Sequence, residues 1–550
     1  MKRFFIFLMA QISALSGFYA QTIQDGVLSN CTSITGRYVV PKEVKCIAPY
    51  AFFGSGVTEI VISPQVDSIG SMAFYGCLKL QKFLVEDGAK LSFIGDDAFS
   101  ECVELTTVQL PPSLRHLGKR AFWLNSKLKD ISIADGLEEL QPYTFQGCVE
   151  LTDITLPKSL KVIGENTFAG CKQLLSVEMP SCDSIATKAF YGCKLLGQID
   201  LPSNLRSIAD SAFMCCERMK TITLPASLQK VGAKIFMACP KMESINVATG
   251  NSHFISIDGI LFAADKSVLY EVPAQFSSDM YTLPRETKTI YHMAFWGCPK
   301  VQGITMHSEI DRIGIGALCN NGFKEIRFPG SEKYFIDENN LYYKTMDDKG
   351  NAMEVLMARA SLDPRSDCLV RYGTALIADY ALMGCSSLTS LRLPSTLLGI
   401  NQFAFANCVE LKDISSYAIE PPTVQEEGFS NVDGKKVDVH VYSKALRSYM
   451  IAPGWALLNY GSDLTGEEPT SIANPIKGPN YIVSLGQGKY AVSHNFDIIS
   501  IHLFSVEGNE LSPIFLSADG EEIVYQLSEN CPHIATLQIK SEGFVIQKVL

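Results

Sequence analysis

Ile163-Gly164-Glu165-Asn166-Thr167-Phe168-Ala169-Gly170-Cys171-Lys172-Gln173-Leu174-Leu175-Ser176-Val177-Glu178-Met179-Pro180 decides how this chain of 550 residues is read, because its pattern recurs. Phe52, Phe74, Phe99, Phe122, Phe145, Phe168, Phe190, Phe213, Phe236, Phe295, Leu318, Leu382 and Phe405 each follow a small or aliphatic residue, usually Ala. Seven of the twelve intervals are 23 residues, two are 22 and one is 25, with gaps of 59 and 64. Five residues before each of these positions stands an aliphatic: Ile47, Ile69, Ile94, Leu117, Leu140, Ile163, Ile185, Ile208, Val231, Ile290, Ile313, Ile377 and Ile400. A fixed period of this length is the mark of a one-dimensional repeat array.

After each phenylalanine comes a segment of alternating character, as in Leu105-Thr106-Thr107-Val108-Gln109-Leu110-Pro111 and Leu151-Thr152-Asp153-Ile154-Thr155-Leu156-Pro157. Period two predicts a strand with one wet face, and the closing Pro, lacking an amide donor, stops it. Each repeat is then a strand, a turn and a compact return carrying the Ala-Phe phrase. About 23 residues bury too little apolar surface to offset their ordering entropy, so stability must come from stacking like rows on like. Ten of the seventeen cysteines, Cys77, Cys102, Cys148, Cys171, Cys193, Cys216, Cys239, Cys298, Cys385 and Cys408, fall three residues after the repeat Phe or Leu. That spacing reads as a row of buried free thiols; an exported chain rich in cysteine also admits disulfides. Zinc or redox chemistry wants Cys-x-x-Cys or clustered Cys and His, and neither occurs.

The phrase aliphatic-Gly-x-x-Ala-Phe-x-x-Cys-x-x-Leu-x-x-Ile-x-Leu-Pro resembles the BspA-like leucine-rich repeat family of bacterial surface antigens over about residues 40 to 460. The resemblance implies a leucine-rich repeat solenoid, one strand plus a short helical or irregular return per repeat. It also implies a protein secreted or held at the bacterial cell surface, associated with the outer membrane, that adheres to other molecules. Phe254-Ile255-Ser256-Ile257-Asp258-Gly259-Ile260-Leu261-Phe262 and Phe335-Ile336-Asp337-Glu338-Asn339-Asn340-Leu341-Tyr342-Tyr343 look like hairpins inserted near 248–284 and 330–372, where they fill the two long gaps. Asp-Gly between alternating apolar residues predicts the first of them independently.

Residues 1–20 read as an export signal: Lys2 and Arg3, an apolar run from Phe4, then small residues up to Ala20. The solenoid is expected over 21–460, closing on a strand at Val439 to Tyr442, a helix from Ser443 to Met450 and a capping Trp455. A Pro- and Gly-containing linker follows at 461–479. Residues 480–550 read as a small all-β sandwich domain. Its stretch Ile501 to Leu511 and terminal Gln547-Lys548-Val549-Leu550 look like the sorting domain of type IX secretion; a plain accessory sandwich is the alternative.

Composition narrows the function. Without Lys2 and Arg3 the chain carries 45 basic and 58 acidic residues, a balance that repels polyphosphate and excludes nucleic acid as a partner. Past the leader no apolar stretch is long enough for a transmembrane helix. The eight histidines, His116, His253, His292, His307, His440, His494, His502 and His533, are scattered, and no phosphate loop, metalloprotease helix or nucleophile elbow is present. No cofactor or metal is implied. Repetition does align carboxylates on the concave strand face, Asp130 with Asp153 and Glu178 with Asp200, among Thr107, Thr155, Gln198 and Thr221. That face, over about 107 to 246, is the surface stacking leaves free, and it is the candidate binding site. Tyr75, Trp123, Tyr191 and Trp296, each just after the repeat Phe, read either as an edge that stacks on sugars or as packing at the edge of the core. The expected function is non-catalytic adhesion to host or matrix protein. Glycan binding or an envelope structural role is the alternative, and a hydrolase using the concave carboxylates is a third reading. The oligomeric state is left open.

Overall fold

In the computed structural model, the described residues are 21–133, 135–346, 350, 352–461 and 464, with the backbone alone for Asp130 and for the strands between 482 and 548. The expected export signal at 1–20 and nearly all of the expected linker at 461–479 lie outside them. The chain divides into two units, one running to Gln302 and taking in Arg312–Gly322, the other holding Gly303–Asp311 and the chain from Phe323 onward. Each is a β-solenoid with little helix.

In the first unit most turns carry an outer strand and a shorter second one. The outer strands, among them Thr107–Gln109, Asp130–Ser132, Asp153–Thr155 and Ser176–Glu178, pair in parallel in a seven-stranded sheet that begins at Thr35–Val39. The second strand has two residues and ends on the periodic aliphatic, as in Ser68–Ile69, Val162–Ile163 and Ser207–Ile208. These stack in parallel sheets of their own. Two residues are too few to display an alternation, which is why the strand is silent in the sequence.

The return between them is irregular, but its backbone groups are paired. Asn166, Phe168 and Gly170 donate their N–H groups to the carbonyls of Thr187, Ala189 and Tyr191 in the next turn at 3.0, 2.8 and 2.7 Å. The amides between them, on Thr167, Ala169 and Cys171, bond back to Gly164, Asn166 and Phe168 within the turn. Left-handed backbone at Asn166 (φ 52°) and Gly170 (φ 75°) brackets Phe168 and turns every second amide along the stack. A non-glycine residue pays roughly 1–2 kcal/mol for that conformation, and the inter-turn bond together with the ring it positions offsets the cost. Nine rings from Phe52 to Phe236 stack face to face, with centroids 4.7–5.8 Å apart and planes within 16°. Each such contact adds about 0.5–1.5 kcal/mol beyond the area it buries.

All sixteen cysteines among the described residues are free thiols. The row has a hydrogen-bonding role: Sγ–H of Cys102, Cys171, Cys193 and Cys239 donates to the carbonyl of Phe74, Phe145, Phe168 and Phe213 in the preceding turn, at 3.1–3.2 Å. Burial pushes the Cys148 thiol up to about 12, so it stays protonated and able to donate. Asn125 holds the same place in the turn of Phe122. It is fully buried, and neither Nδ2 nor Oδ1 has a partner.

The two long gaps hold antiparallel strands. Phe254–Ile257 turns through Asp258 and Gly259, both left-handed, into Ile260–Ala263 and then Val268–Glu271. Two consecutive positive φ angles are what a two-residue hairpin turn demands. The tip seals the outer sheet: Ile245 N–H donates to Gly259 O at 2.8 Å. In the second unit Tyr334–Asp337, Asn340–Met346 and Ala352–Arg359 repeat the arrangement, with Glu338 and Asn339 left-handed and Asn339 Nδ2 bonded to Lys324 O at 3.1 Å. Glu271 ends the first insert and takes over a bond that the interrupted repeat would have made. Its buried carboxylate accepts the Phe236 N–H at 2.9 Å. Burial pushes this carboxyl from 4.5 up to about 7.

The repeats continue past Phe405. Phe429 stacks on it at 5.2 Å, adding a turn that lacks both the alanine and the cysteine of the phrase. The strand Asp438–His440, the helix Leu446–Ile451 and Trp455 follow. Trp455 is fully buried, donates Nε1–H to Pro422 O at 2.7 Å and meets Tyr449 edge-on, as a packing residue does. Between 482 and 548 the backbone forms two four-stranded antiparallel sheets.

Replacing Asn125 with cysteine removes two unpartnered polar groups and restores a donor to the row. Asn125→Cys is expected to raise stability by ~1 kcal/mol, read as a higher urea midpoint, and an unchanged or lower midpoint would refute the thiol–carbonyl account. Glu271 makes stability depend on pH. The folded chain keeps a proton that the unfolded chain releases above its ordinary 4.5, so stability should fall as pH rises toward about 7. The drop amounts to at most ~3 kcal/mol. Glu271→Gln keeps the acceptor and should flatten this part of the profile; a variant with the wild-type slope would contradict the assignment.

Candidate binding face

The outer strands present the face that stacking leaves unused. Val108, Ile131, Ile154 and Val177 point inward and are buried, and Thr107, Gln109, Ser132, Asp153, Thr155, Ser176 and Glu178 beside them face water. Two rows result. Register aligns Thr107, Asp130, Asp153 and Ser176 in one, and Gln109, Ser132, Thr155 and Glu178 in the other. Parallel pairing sets this neighbourhood, since a slip by one residue would bury the polar set. Within the rows the Ser176 hydroxyl donates to Asp153 Oδ1 at 2.5 Å and the Thr155 hydroxyl to Glu178 Oε2 at 3.0 Å. Thr106, Thr107, Ser132, Asp153 and Thr155 line a shallow depression floored by Val108, Ile131 and Ile154.

The sequence reading joined these rows to Gln198, Asp200 and Thr221 in one continuous face, and here the structure differs. The seven-stranded sheet ends at Ser176–Glu178, while Thr221–Leu224 pairs only with Ser244–Val247 in a separate two-stranded sheet. Gln198 and Asp200 are exposed but lie on a segment that forms no strand. Glu178 therefore has Thr155 as its register partner and no strand-paired carboxylate beyond it. Gly197 and Asp200 belong to the residue types that strands disfavour. Next to this segment stand Arg218, Lys220 and Lys241, whose only signal in the sequence is repeat spacing, Arg218 and Lys241 each five residues after a repeat Phe.

The aromatic row does not act as one surface. Tyr75 stacks on Phe53 at 5.4 Å and donates its hydroxyl to Glu101, while Trp123 donates Nε1–H to Gln146. The histidines are apart as well. His116 stacks on Phe93, and His292 accepts the Ile315 N–H at 3.0 Å while burial pushes it down to about 4. The side chains of His494, His502 and His533 lie outside the described residues. Among the described residues no three His, Cys, Asp or Glu side chains gather as metal ligands, and no helix is long and apolar enough to cross a membrane.

An open face of hydroxyls, amides and carboxylates, fixed by register and flanked by basic groups, can hydrogen-bond and pair charges with an extended polar partner. Known proteins share the repeat. The family model for the BspA type leucine-rich repeat region matches residues 21–152, 138–268, 274–346 and 374–452, in six copies. Among solved structures the chain is similar to a leucine-rich cell surface protein of Faecalibacterium prausnitzii, at 20% identity over 73% of this chain and 93% of that one, with a TM-score of 0.44. A leucine-rich repeat protein of Bacteroides ovatus matches at 21% identity over 73% and 94%, TM-score 0.43. The leucine-rich repeat protein of T. pallidum matches at 22% identity over 41% and 88%, TM-score 0.25. No curated protein matches the chain. Matched over most of its length, the chain belongs to the BspA-type leucine-rich repeat family, a bacterial cell-surface or secreted family whose repeat frame is consistent with a binding or surface protein.

Proposed function

We propose that this chain is a non-catalytic binding protein, secreted or displayed at the outer surface, that adheres to host or matrix protein through its outer-strand face. The observation that supports this is the division of labour within the turn. The phenylalanine and cysteine rows and nearly all of the aliphatic row are buried in stacking, whereas Thr107, Asp153 and Ser176 in one outer row and Gln109, Ser132, Thr155 and Glu178 in the other are exposed. A partner in extended conformation can follow such rows, because successive strands stand about 4.8 Å apart with like positions aligned. The hydroxyl–carboxylate pairs Ser176–Asp153 and Thr155–Glu178 also suit sugar hydroxyls, which keeps glycan as the second reading.

Full-length chain tested side by side on an extracellular-matrix protein panel and a glycan array separates the two readings, with matrix binding expected. The variant carrying Asp130→Ala, Asp153→Ala, Glu178→Ala and Asp200→Ala should fold and lose at least about tenfold in affinity, ~1.4 kcal/mol. Undiminished binding would move the site off this face. For residues 480–550 we propose a sorting role: deleting them should abolish surface display in the native host, and unchanged display would leave them an accessory domain.

A further inference from the structure

The outer face of the first unit is broken at one place, and three basic side chains, Arg218, Lys220 and Lys241, gather beside the break. Gly197–Leu201 forms no strand, and its amides and carbonyls make no backbone hydrogen bond to the turn on either side. The flanking turns are bonded: Leu175 N–H reaches Thr152 O at 2.7 Å, and Glu243 N–H reaches Lys220 O at 2.7 Å. Backbone polar groups left without protein partners are satisfied by solvent or by a ligand.

Around the break a shallow depression is lined by Leu175, Leu195, Arg218, Lys220 and Lys241. Leu175 is 46% exposed, an apolar contact offered to solvent on an otherwise polar face. The cations are under-used. Lys220 meets Glu243 only at 3.7 Å, and neither Arg218 nor Lys241 takes part in an ion pair among the described residues. Three basic groups converging in a chain of net charge −11 set up a local field that attracts an anion.

We propose that this break is a docking site for an acidic, extended segment of a partner protein. The carboxylates of the segment pair with Arg218, Lys220 and Lys241, an aliphatic side chain rests on Leu175 and Leu195, and its backbone bonds the free amides of Gln198–Leu201. A peptide suits all three features together: it brings alternating charged and apolar side chains at strand spacing and a backbone of its own. The carboxylates of Asp153 and Glu178 on the strands before the break would repel it there, which favours the break over those strands. The proposal rests on the reading of the outer strands as the binding surface and narrows it to one subsite and one chemistry.

The test uses the full chain and a fluorescein-labelled peptide of about ten residues alternating Glu and Leu, with a Lys-for-Glu peptide as control. The acidic peptide should bind with an affinity that falls as salt rises. The control should not bind, and the variant Arg218→Ser/Lys241→Ser should lose at least tenfold. Hydrogen exchange on the wild-type chain should show the amides of Gln198–Leu201 protected when the acidic peptide is added, a readout that needs no variant. Equal binding of the two peptides, an unaffected Arg218→Ser/Lys241→Ser variant, or no protection at Gln198–Leu201 overturns the proposal. So does binding of polygalacturonate in preference to the peptide. Matrix binding lost in the four-alanine variant yet retained in Arg218→Ser/Lys241→Ser overturns this subsite alone and leaves the strand-face reading standing.

Discussion

The structure depends on one constraint: every turn must pass its backbone hydrogen bonds and its phenylalanine ring to the next turn in the same register. Three ladders run along the stack. They are the outer strands, the two-residue strands and the irregular return at the Ala-Phe phrase, where left-handed residues on either side of the ring make the third ladder possible. A single turn has no core of its own, so the rings from Phe52 to Phe236 and the aliphatics beneath them hold only because each has a copy above and below. The cysteine row belongs to the same arrangement. Its thiols add a donor for a buried carbonyl that water cannot reach, which explains a cysteine where an alanine of similar size would leave that acceptor with one bond fewer.

Because stacking is the source of stability, wherever the period fails something must take over the unpaired groups. Both inserts do this with a hairpin tip against an outer strand, through Gly259 on Ile245 in the first unit and Asn339 on Lys324 in the second. Glu271 does it with a side chain, giving Phe236 N–H an acceptor at the cost of a buried carboxyl. At Gly197–Leu201 no such replacement exists among the described residues, and the backbone groups there make no hydrogen bond to the turns on either side. The difference separates an interruption that is sealed from one that is available.

The function follows from what stacking leaves over. Register fixes which outward side chains are neighbours, so Asp153 meets Ser176 and Glu178 meets Thr155, and neither carboxylate is enclosed in a cavity. An open, register-aligned polar face suits the proposed adhesion, in which a long partner is held through many modest contacts. The two signs of charge along it, carboxylates near Asp153 and Glu178 and cations near Arg218 and Lys241, give such a partner a direction.

Much of this was legible in the residues. The interval of 23, the aliphatic five residues before each phenylalanine and the period-two segments were enough for a solenoid with one wet strand face, because burial on a repeating backbone imprints itself as periodicity. The Asp258-Gly259 hairpin was legible for a similar reason, since few residues accept two left-handed positions in succession. What remained for the tertiary structure was everything set by contact between turns. The two-residue strands are too short to leave a pattern, Phe429 stacks without the rest of the phrase, and the thiol's acceptor sits a full turn away. The wet face looked continuous from Thr107 to Asn246 because alternation reports which way a side chain points and not whether a strand pairs with its neighbour. Pairing is a property of two backbones at once, and only the folded stack shows that it stops at Glu178 and resumes at Thr221.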